Sequence, residues 1–204
     1  MIARTKADLH LHTTASDGTW SVGDLIRVVT DAGIHLFSIT DHDAIASARA
    51  VSTMVLPSSL RFIRGVEVTA STGLGRRHIL GYQYDPENPV LTDLLDHNTK
   101  ATLRWFAQAV EYARSRFDQI DMTAFDAYEN NRSRGGCKAL NYLIDNKAVA
   151  SDEEFGRLIR ESETVPDFAD ITDVINAIHG AAVEFWHATQ ALAVRAGTRL
   201  CAAP

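Results

Sequence analysis

The stretch DLHLHTTASDG, residues 8–18, places two histidines one residue apart in a short apolar run and ends in a Ser-Asp-Gly turn. Successive side chains of a strand face opposite sides, so His10 and His12 share one face and the two leucines share the other. The leucines can pack while the imidazoles converge on a ligand. Asp17, in the turn, brings a carboxylate within reach. This mixture of groups is what a divalent metal requires.

The length and composition are those of a soluble globular protein. The 204 residues suffice for one domain with a full core, and the hydrophobic content of 46% and charged content of 23% are ordinary. The formal net charge of -6 argues against a dedicated basic surface for long nucleic acid, although a small cationic pocket can still hold a phosphate.

The cysteines and the N-terminus predict a cytoplasmic protein. Cys137 and Cys201 show no Cys-x-x-Cys spacing, so neither a disulfide framework nor a thiolate zinc site is expected. The start MIARTKADLHLH lacks an apolar segment of signal-peptide length, and no apolar run is long enough for a membrane span. We therefore expect neither export nor membrane contact.

The first part of the chain alternates between strand and helix patterns. The predicted strands are KADLHLH, IHLFSIT, LRFIRGVEVTAS and RRHILGYQYD, the last two joined by the Gly-rich TGLG. The predicted helices are VGDLIRVVTDAG, capped by Ser21 and stopped by Gly33, and DHDAIASARAVSTMV, which starts with a capping-type aspartate. Such alternation favours an α/β fold with a parallel sheet, either open or closed as a barrel.

The pattern changes after residue 88. Residues 89–165 carry apolar positions at helical spacing, which predicts a helical insertion in a single domain whose first half is residues 1–88. Residues 166–204 begin with DITDVINAIHGA, an amphipathic helix with Asp170 as its cap. The Ala-rich remainder predicts either more helix or a weak strand with an unordered tail.

Polar side chains gather where the predicted strands end. They are His10 and His12 with Asp17, then Asp41, His42 and Asp43, then Glu67, and finally His78. Because the carboxyl ends of parallel strands converge on a common mouth, we expect these groups to lie close together. Taken alone, Asp41 and Asp43 serve equally well as helix caps and His78 as an edge-strand residue. Glu67 resists such an explanation, because its neighbours in GVEV are apolar and an unpaired buried carboxylate is costly.

These motifs, DLHLHTTASDG, SITDHDAI, GVEV and HILGY, resemble in order the metal-binding motifs of the PHP family, named for polymerase and histidinol phosphatase. The resemblance is close over residues 6–85. Farther on, GGCKALNYLIDNKAV and DITDVINAIHGA resemble the insertion and the following helix of stand-alone bacterial PHP phosphoesterases. The resemblance implies an incomplete, distorted (β/α)7 barrel of TIM-like type with two or three divalent ions, manganese, zinc, iron or magnesium.

The resemblance also implies a role for each residue. The metal ligands would be His10, His12 and Glu67 for a first ion, Glu67 and His78 for a second, and Asp17 and His42 for a third. The catalytic carboxylates would be Glu67, which bridges two ions, with Asp41 and Asp43 orienting the ligands. Arg76 and Arg77 are equally explained as phosphate clamps or as an exposed hairpin pair.

The later part of the chain departs from the family pattern. The Gly-Gly turn, the Ala-His-Pro ligand and a later aspartate and histidine are missing after VINAIH, which predicts a truncated or frame-altered end. His187 is interpreted as an incidental tail residue, with a substitute metal ligand as the alternative. The remaining histidines, His35, His97 and His179, are assigned to packing or to the surface.

The function implied is a metal-dependent phosphoesterase that uses metal-activated hydroxide. Its substrates would be small phosphomonoesters, including nucleoside 3',5'-bisphosphates or short oligonucleotides, rather than long nucleic acid. Two alternatives stay open. The first is that the chain is a truncated, non-catalytic metal-binding remnant. The second is an amidohydrolase-type enzyme, although the metal-bridging lysine of that class is absent from these strand ends. The oligomeric state is not predicted.

Overall fold

Four strands form one sheet in the computed structural model, which describes residues 6–182. The strands are β1 (Lys6–Leu11), β2 (Ile34–Ile39), β3 (Arg61–Thr72) and β4 (Gly75–Tyr82), in the sheet order β1-β2-β3-β4. The described residues also form seven α-helices: α1 (Val22–Asp31), α2 (Ala46–Ser52), α3 (Pro89–Arg114), α4 (Met122–Ala127), α5 (Lys138–Asp145), α6 (Asp152–Glu161) and α7 (Ile171–Gly180). The fold is therefore mixed α/β, as predicted.

The predicted parallel arrangement holds for three strands and is wrong for the fourth. β1, β2 and β3 are parallel, whereas β4 runs antiparallel to β3 from the Thr72–Gly75 pair onward. Only Gly73 and Leu74 separate the two strands, and a link of two residues can join only antiparallel neighbours. The Gly-rich connection therefore forms a hairpin.

The sheet is curled, so that its two edge strands approach each other. The Tyr82 hydroxyl, at the end of β4, donates a hydrogen bond of 2.8 Å to the backbone carbonyl of Leu9 on β1. This contact joins the first and last strands across the concave face and gives the sheet the shape of a half-barrel. A complete barrel of seven strands stays a prediction.

The predicted helix ends are confirmed for α1 and α7. Ser21 caps α1 by accepting from the Asp24 amide, and Gly33 follows this helix with a φ of +68°, a conformation that favours glycine. Asp170 caps α7 by accepting from the Thr172 amide. The aspartate cap predicted for α2 is wrong, because this helix begins only at Ala46 and has no side-chain cap.

The apolar faces pack in three clusters. One lies between α1, α2 and the first strands, and it includes Leu25, Val29, Phe37, Ile39 and Val51. A second lies under β3, where Val66, Val68 and Ala70 pack against Leu91 and Leu95 of α3 and Val174 and Ile178 of α7. The second half of α3 packs with α4, α5 and α6 in the third cluster, around Val110, Phe125, Leu143 and Phe155.

The long helix α3 therefore belongs to both the sheet core and the helical part. It begins at the predicted change of pattern, with Asn88 as its cap and Pro89 in its first turn. The division of the domain into residues 1–88, 89–165 and 166–204 stays a prediction. Across residues 6–182, none of the helices is both long and apolar enough to cross a membrane.

Candidate metal centre

The two histidines of β1 reach the concave face of the sheet as their alternation predicts. His10 and His12 have ring centroids 5.1 Å apart. On the opposite face Leu11 packs against the cluster beside α1, whereas Leu9 stays 36% exposed because β1 lies at the sheet edge. Both imidazoles point to a single carboxylate on β3.

That carboxylate is Glu67, which contacts histidines from both ends of the sheet. Its Oε2 lies 2.9 Å from His10 Nε2 and 3.1 Å from His12 Nε2, and its Oε1 lies 3.2 Å from His78 Nδ1 on β4. The side chain is largely buried. Glu67 thus occupies a bridging position between the β1 histidines and the β4 histidine.

Asp17 is a second carboxylate that contacts two histidines. Its Oδ1 lies 3.0 Å from His12 Nδ1 and its Oδ2 lies 3.5 Å from His42 Nε2. The structure therefore brings all six predicted ligands together in three overlapping groups: His10, His12 and Glu67; His12, Asp17 and His42; and His42, Glu67 and His78. Within each group the ligand atoms lie within 4.8 Å of one another.

The donor set fits divalent cations. The four rings form a row in which His12 and His42 are 4.7 Å apart and His42 and His78 are 4.6 Å apart. The Nδ1 atoms of His42 and His78 lie 3.1 Å apart. A neutral imidazole has only one N–H, so only one of these two nitrogens can donate to the other. Ring nitrogens and carboxylate oxygens converging without a thiolate suit zinc, manganese or iron.

The charges in the cluster depend on one another. Burial would raise the pKa of Glu67, but hydrogen bonds from His12 and His78 hold that pKa well below its usual range. Hydrogen bonds from His12 and His42 lower the pKa of Asp17 in the same way. Burial would lower the pKa of His12, but its bonds to Asp17 and Glu67 outweigh this and raise the pKa to about 9. Both carboxylates are therefore ionised near neutral pH, as metal ligands must be.

The sheet geometry explains why Glu67 and His78 face this cluster. The parallel pairing of β2 with β3 ends at Ile39 and Arg64, and β3 continues beyond it because β4 pairs with the rest of the strand. Glu67 therefore lies past the end of β2, with its flanking valines buried on the opposite face. His78 pairs with Thr69 and reaches Glu67 diagonally. The predicted place at a strand end is wrong for both residues, since Glu67 lies inside β3 and His78 lies in the middle of β4.

Asp41 fastens the loop that carries Asp17. Its carboxylate accepts from the Thr13 amide at 2.7 Å, the Thr13 hydroxyl at 2.7 Å and the Ser16 hydroxyl at 2.8 Å. The side chain is buried. Asp41 therefore accepts hydrogen bonds from the loop beside the site. It does not cap α2, the alternative role predicted for it.

Asp43 fastens β3 to α3 in a similar way. Its carboxylate accepts from the Thr69 amide at 3.0 Å, the Thr69 hydroxyl at 2.6 Å and the Asn98 side-chain amide at 2.9 Å. Burial raises the pKa of Asp43, and these hydrogen bonds act against that rise. The residue fixes Thr69, the cross-strand neighbour of His78.

Four residues that support the site are not among those predicted from the sequence. No sequence pattern assigns a site role to Thr13 and Ser16, which follow β1, or to Tyr82, which ends β4. Asn98 carried a usable signal, because it follows Leu91 and Leu95 on the apolar stripe of α3 and is fully buried. A buried polar residue at such a position requires a partner, here Asp43.

The two candidate clamps lie on different faces of β4. Arg76 shares the face of His78, two residues away, and its guanidinium carbon lies 5.1 Å from the ring centroid of Trp105. Arg77 lies on the opposite face, so the structure does not bring it to the metal ligands. His97 contacts the Asp167 carbonyl at 2.7 Å, outside the three groups, and His187 lies beyond the described residues.

The helical part of the chain contacts the loop of Asp17. The Gly136 amide donates to the Asp17 carbonyl at 3.2 Å, and the Arg132 guanidinium donates to the Thr14 carbonyl at 2.9 Å. Gly136 has a φ of +69°, which favours glycine. Contacts from both Asp41 and this segment therefore determine where Asp17 lies.

Gly18 closes the same loop where no side chain fits. A Cβ on Gly18 would lie 2.5 Å from the carbonyl carbon and oxygen of His12 and 2.7 Å from the Thr13 amide nitrogen. Since these are backbone atoms, Gly18→Ala is expected to displace the loop, to cost about 1–3 kcal/mol of unfolding free energy and to weaken metal binding at the group that includes Asp17. Thermal unfolding and metal analysis measure both effects.

Gly73→Ala is the matched control, because a Cβ there meets nothing within 4 Å. If Gly18→Ala unfolded at the temperature of the Gly73→Ala protein and bound the same number of ions, the close packing of this loop would be without consequence.

Comparison with known proteins gives the family. A model described as the PHP domain matches residues 8–140, more than half of the chain. A 5'-3' exoribonuclease of Haemophilus influenzae is 29% identical over 192 residues, which cover 86% of this chain and 65% of that protein. A 3',5'-nucleoside bisphosphate phosphatase of Chromobacterium violaceum is 32% identical over 84 residues, 41% of this chain and 30% of that protein.

A solved structure agrees in fold. The crystal structure of a "putative metal-dependent phosphoesterase" from Bifidobacterium adolescentis superposes with a TM-score of 0.69 and 24% identity, over 87% of this chain and 64% of that one. The chain thus spans less than two thirds of the length of this protein and of the exoribonuclease. The metal-ligand geometry and the matched residues together place the chain in the PHP domain family.

Proposed function

We propose that the protein is a metal-dependent phosphoesterase that hydrolyses small phosphomonoesters, with nucleoside 3',5'-bisphosphates and short oligonucleotides among its substrates. The observation that carries the proposal is the position of Glu67, whose two oxygens contact histidines of β1 and of β4. A carboxylate so placed can hold two cations close together. Such paired ions are a recurrent device for phosphate-ester hydrolysis.

The residues that would hold the ions are those of the three groups described above. His10, His12 and Glu67 would bind the first ion, Glu67 and His78 the second, and Asp17 and His42 the third. When bound, such ions supply a hydroxide near neutral pH and offset the charge of the phosphate oxygens. Two or three ions among manganese, zinc, iron and magnesium are proposed.

The protein groups around the ions keep the ligands in place. Asp41 holds the Asp17 loop through Thr13 and Ser16, and Asp43 holds β3 against α3. Neither carboxylate would need to bind an ion, since protein donors occupy their oxygens. We propose that they act by orienting ligands, as such surrounding hydrogen bonds do in many metal sites.

The relatives and the charge support small phosphorylated substrates. One relative is named for RNA cleavage and another for a nucleoside bisphosphate. The net charge of -6 disfavours tight binding of long nucleic acid, for which many phosphate contacts are needed. Arg76 is the cation on the same strand face as His78 that we propose for phosphate binding.

The proposal is tested on the purified 204-residue chain, stripped with a chelator and reloaded with manganese, zinc, iron or magnesium. We expect two to three bound ions and hydrolysis of p-nitrophenyl phosphate that disappears on chelation and returns on reloading. Bound ions without hydrolysis of this ester or of adenosine 3',5'-bisphosphate would overturn the enzyme proposal. That outcome would favour the alternative, a metal-binding protein without catalysis.

A further inference from the structure

Arg76 is a cation held by an aromatic ring beside the proposed metal centre. Its guanidinium lies 5.1 Å from the centroid of the Trp105 ring. Among residues 6–182, no carboxylate forms an ion pair with it. Arg76 is also exposed at the surface. Its N–H groups are therefore available to an anion that arrives from solvent.

Two independent features place this pair next to the metal ligands. Arg76 and His78 are two residues apart on one face of β4, which separates their Cα atoms by roughly 7 Å. Trp105 lies two turns after Asn98 on the same side of α3, and Asn98 is bonded to Asp43 and to the Thr69 carbonyl. The strand and the helix thus converge at the edge of the centre.

Packing holds the indole in position. Phe168 meets Trp105 edge to face, with centroids 6.0 Å apart and ring planes at 88°. The indole N–H is buried, and no acceptor within the described part of the chain lies in hydrogen-bond range. The ring is therefore fixed by apolar contacts, and it offers a prearranged surface on which the guanidinium stacks.

A stacked guanidinium is well suited to bind a phosphate. Stacking uses the face of the planar group and leaves its N–H fork free to donate two parallel hydrogen bonds to phosphate oxygens. The side chain also loses less freedom on binding, since the ring already restricts it. Because the ions would hold the phosphate that is cleaved, this cation is available for a different one.

We propose that Arg76, positioned by Trp105, binds a second phosphate group of the substrate and so selects molecules with two phosphates a sugar's width apart. Arg76 is the binding residue, and Trp105 is a positioning residue that acts through it. This inference rests on the proposed function, since it assigns the first phosphate to the metal centre. It adds a selectivity that the metal ligands alone do not supply.

Equilibrium binding to the metal-loaded protein tests the inference without turnover. Calorimetry compares adenosine 3',5'-bisphosphate with adenosine 3'-monophosphate and 5'-monophosphate, with calcium in place of the native ions if hydrolysis interferes. The wild type should bind the bisphosphate at least about 10-fold more tightly than either monophosphate, as one charge-assisted contact allows. Equal binding of the three nucleotides would overturn the proposal.

The variants separate a subsite from a structural role. Arg76→Gln should remove the roughly 10-fold preference and Trp105→Leu should remove most of it, while the monophosphate with its phosphate at the ions is bound as before. Trp105→Tyr should restore the preference, because tyrosine also stacks with a guanidinium. Arg104 is an exposed arginine on α3, so Arg104→Gln is the matched control and should keep the preference.

The two proposals fail in different ways. Equal weakening of all three nucleotides by Arg76→Gln, or an unchanged preference in this variant, would overturn the second-phosphate subsite even if the enzyme is active. An Arg76-dependent preference in a protein that hydrolyses none of these nucleotides would leave the subsite standing and overturn the enzyme.

Discussion

Replacing Glu67 by glutamine is expected to lower the rate of metal-dependent phosphate-ester hydrolysis by about 1000-fold, the scale seen when a central electrostatic group is removed from an active site. Glu67 contacts His10, His12 and His78 through its two oxygens, so the change removes the negative charge that two neighbouring ions would share. The amide keeps the size of the side chain. We therefore expect fewer bound ions in a folded protein, measured by metal analysis and circular dichroism.

Glu129→Gln provides the control for this experiment. Glu129 is exposed, and the same loss of charge there should leave both the rate and the number of ions unchanged. A Glu67→Gln protein that hydrolysed p-nitrophenyl phosphate at the wild-type rate with the wild-type ion content would contradict the bridging role. A loss of hydrolysis in the Glu67→Gln protein would instead indicate that the cluster catalyses the reaction and does not only bind metal.

Local patterns in the sequence were sufficient to predict the residues that meet at the centre. The His-x-His spacing places two rings on one face through the period of a strand, and this requires no knowledge of the rest of the fold. The caps Ser21 and Asp170 were predicted in the same local way, from side chains that satisfy amide groups within the next three residues. Such features depend on near neighbours in the chain.

Features that depend on distant residues were harder to predict. The direction of β4 follows from the two-residue loop between Thr72 and Gly75, but the pattern of alternation suggested another parallel strand. Asp41 and Asp43 precede a helix and resemble caps, yet their partners Thr13 and Asn98 lie 28 and 55 residues away. A local rule cannot rank such contacts against a cap, because the deciding donors come from other elements.

The sequence suggested two arginines for substrate binding, and the strand register separates them. Arg76 and Arg77 are neighbours in the chain, so alternation sends one to the face of His78 and the other away from it. The ring that stacks with Arg76 is Trp105, which belongs to another element, the helix α3. Predicting this stacking requires the position of α3 relative to β4, which composition and spacing do not supply.

Replacing Asp41 by alanine is the second change for which a large effect is expected. The amide and the hydroxyl of Thr13 and the hydroxyl of Ser16 would lose the buried carboxylate that accepts their hydrogen bonds. Each buried donor left without an acceptor costs about 1–3 kcal/mol, so the loss for these three donors together should be about 3–5 kcal/mol. For a chain of this size, the unfolding midpoint should fall by roughly 6–20 °C.

The loss should extend to the metal centre, because the same loop carries Asp17. With Thr13 and Ser16 released, Asp17 Oδ1 and Oδ2 would no longer be held against His12 and His42, which lie 3.0 Å and 3.5 Å away in the intact protein. We therefore expect Asp41→Ala to bind one ion fewer, while the ions at Glu67 remain. Metal analysis of the variant measures this directly.

Two further variants decide whether the effect comes from the hydrogen bonds. Asp41→Asn keeps one acceptor oxygen, so it should lose less stability than alanine, about 1–3 kcal/mol. Asp93→Ala removes an exposed aspartate from α3 and should shift the unfolding midpoint little. If Asp41→Ala and Asp93→Ala unfolded at the same temperature with the same ion content, the carboxylate would have no role in holding the loop. A graded loss from asparagine to alanine, with one ion missing in the latter, would instead show that this buried acid acts on the metals through the backbone that it orders.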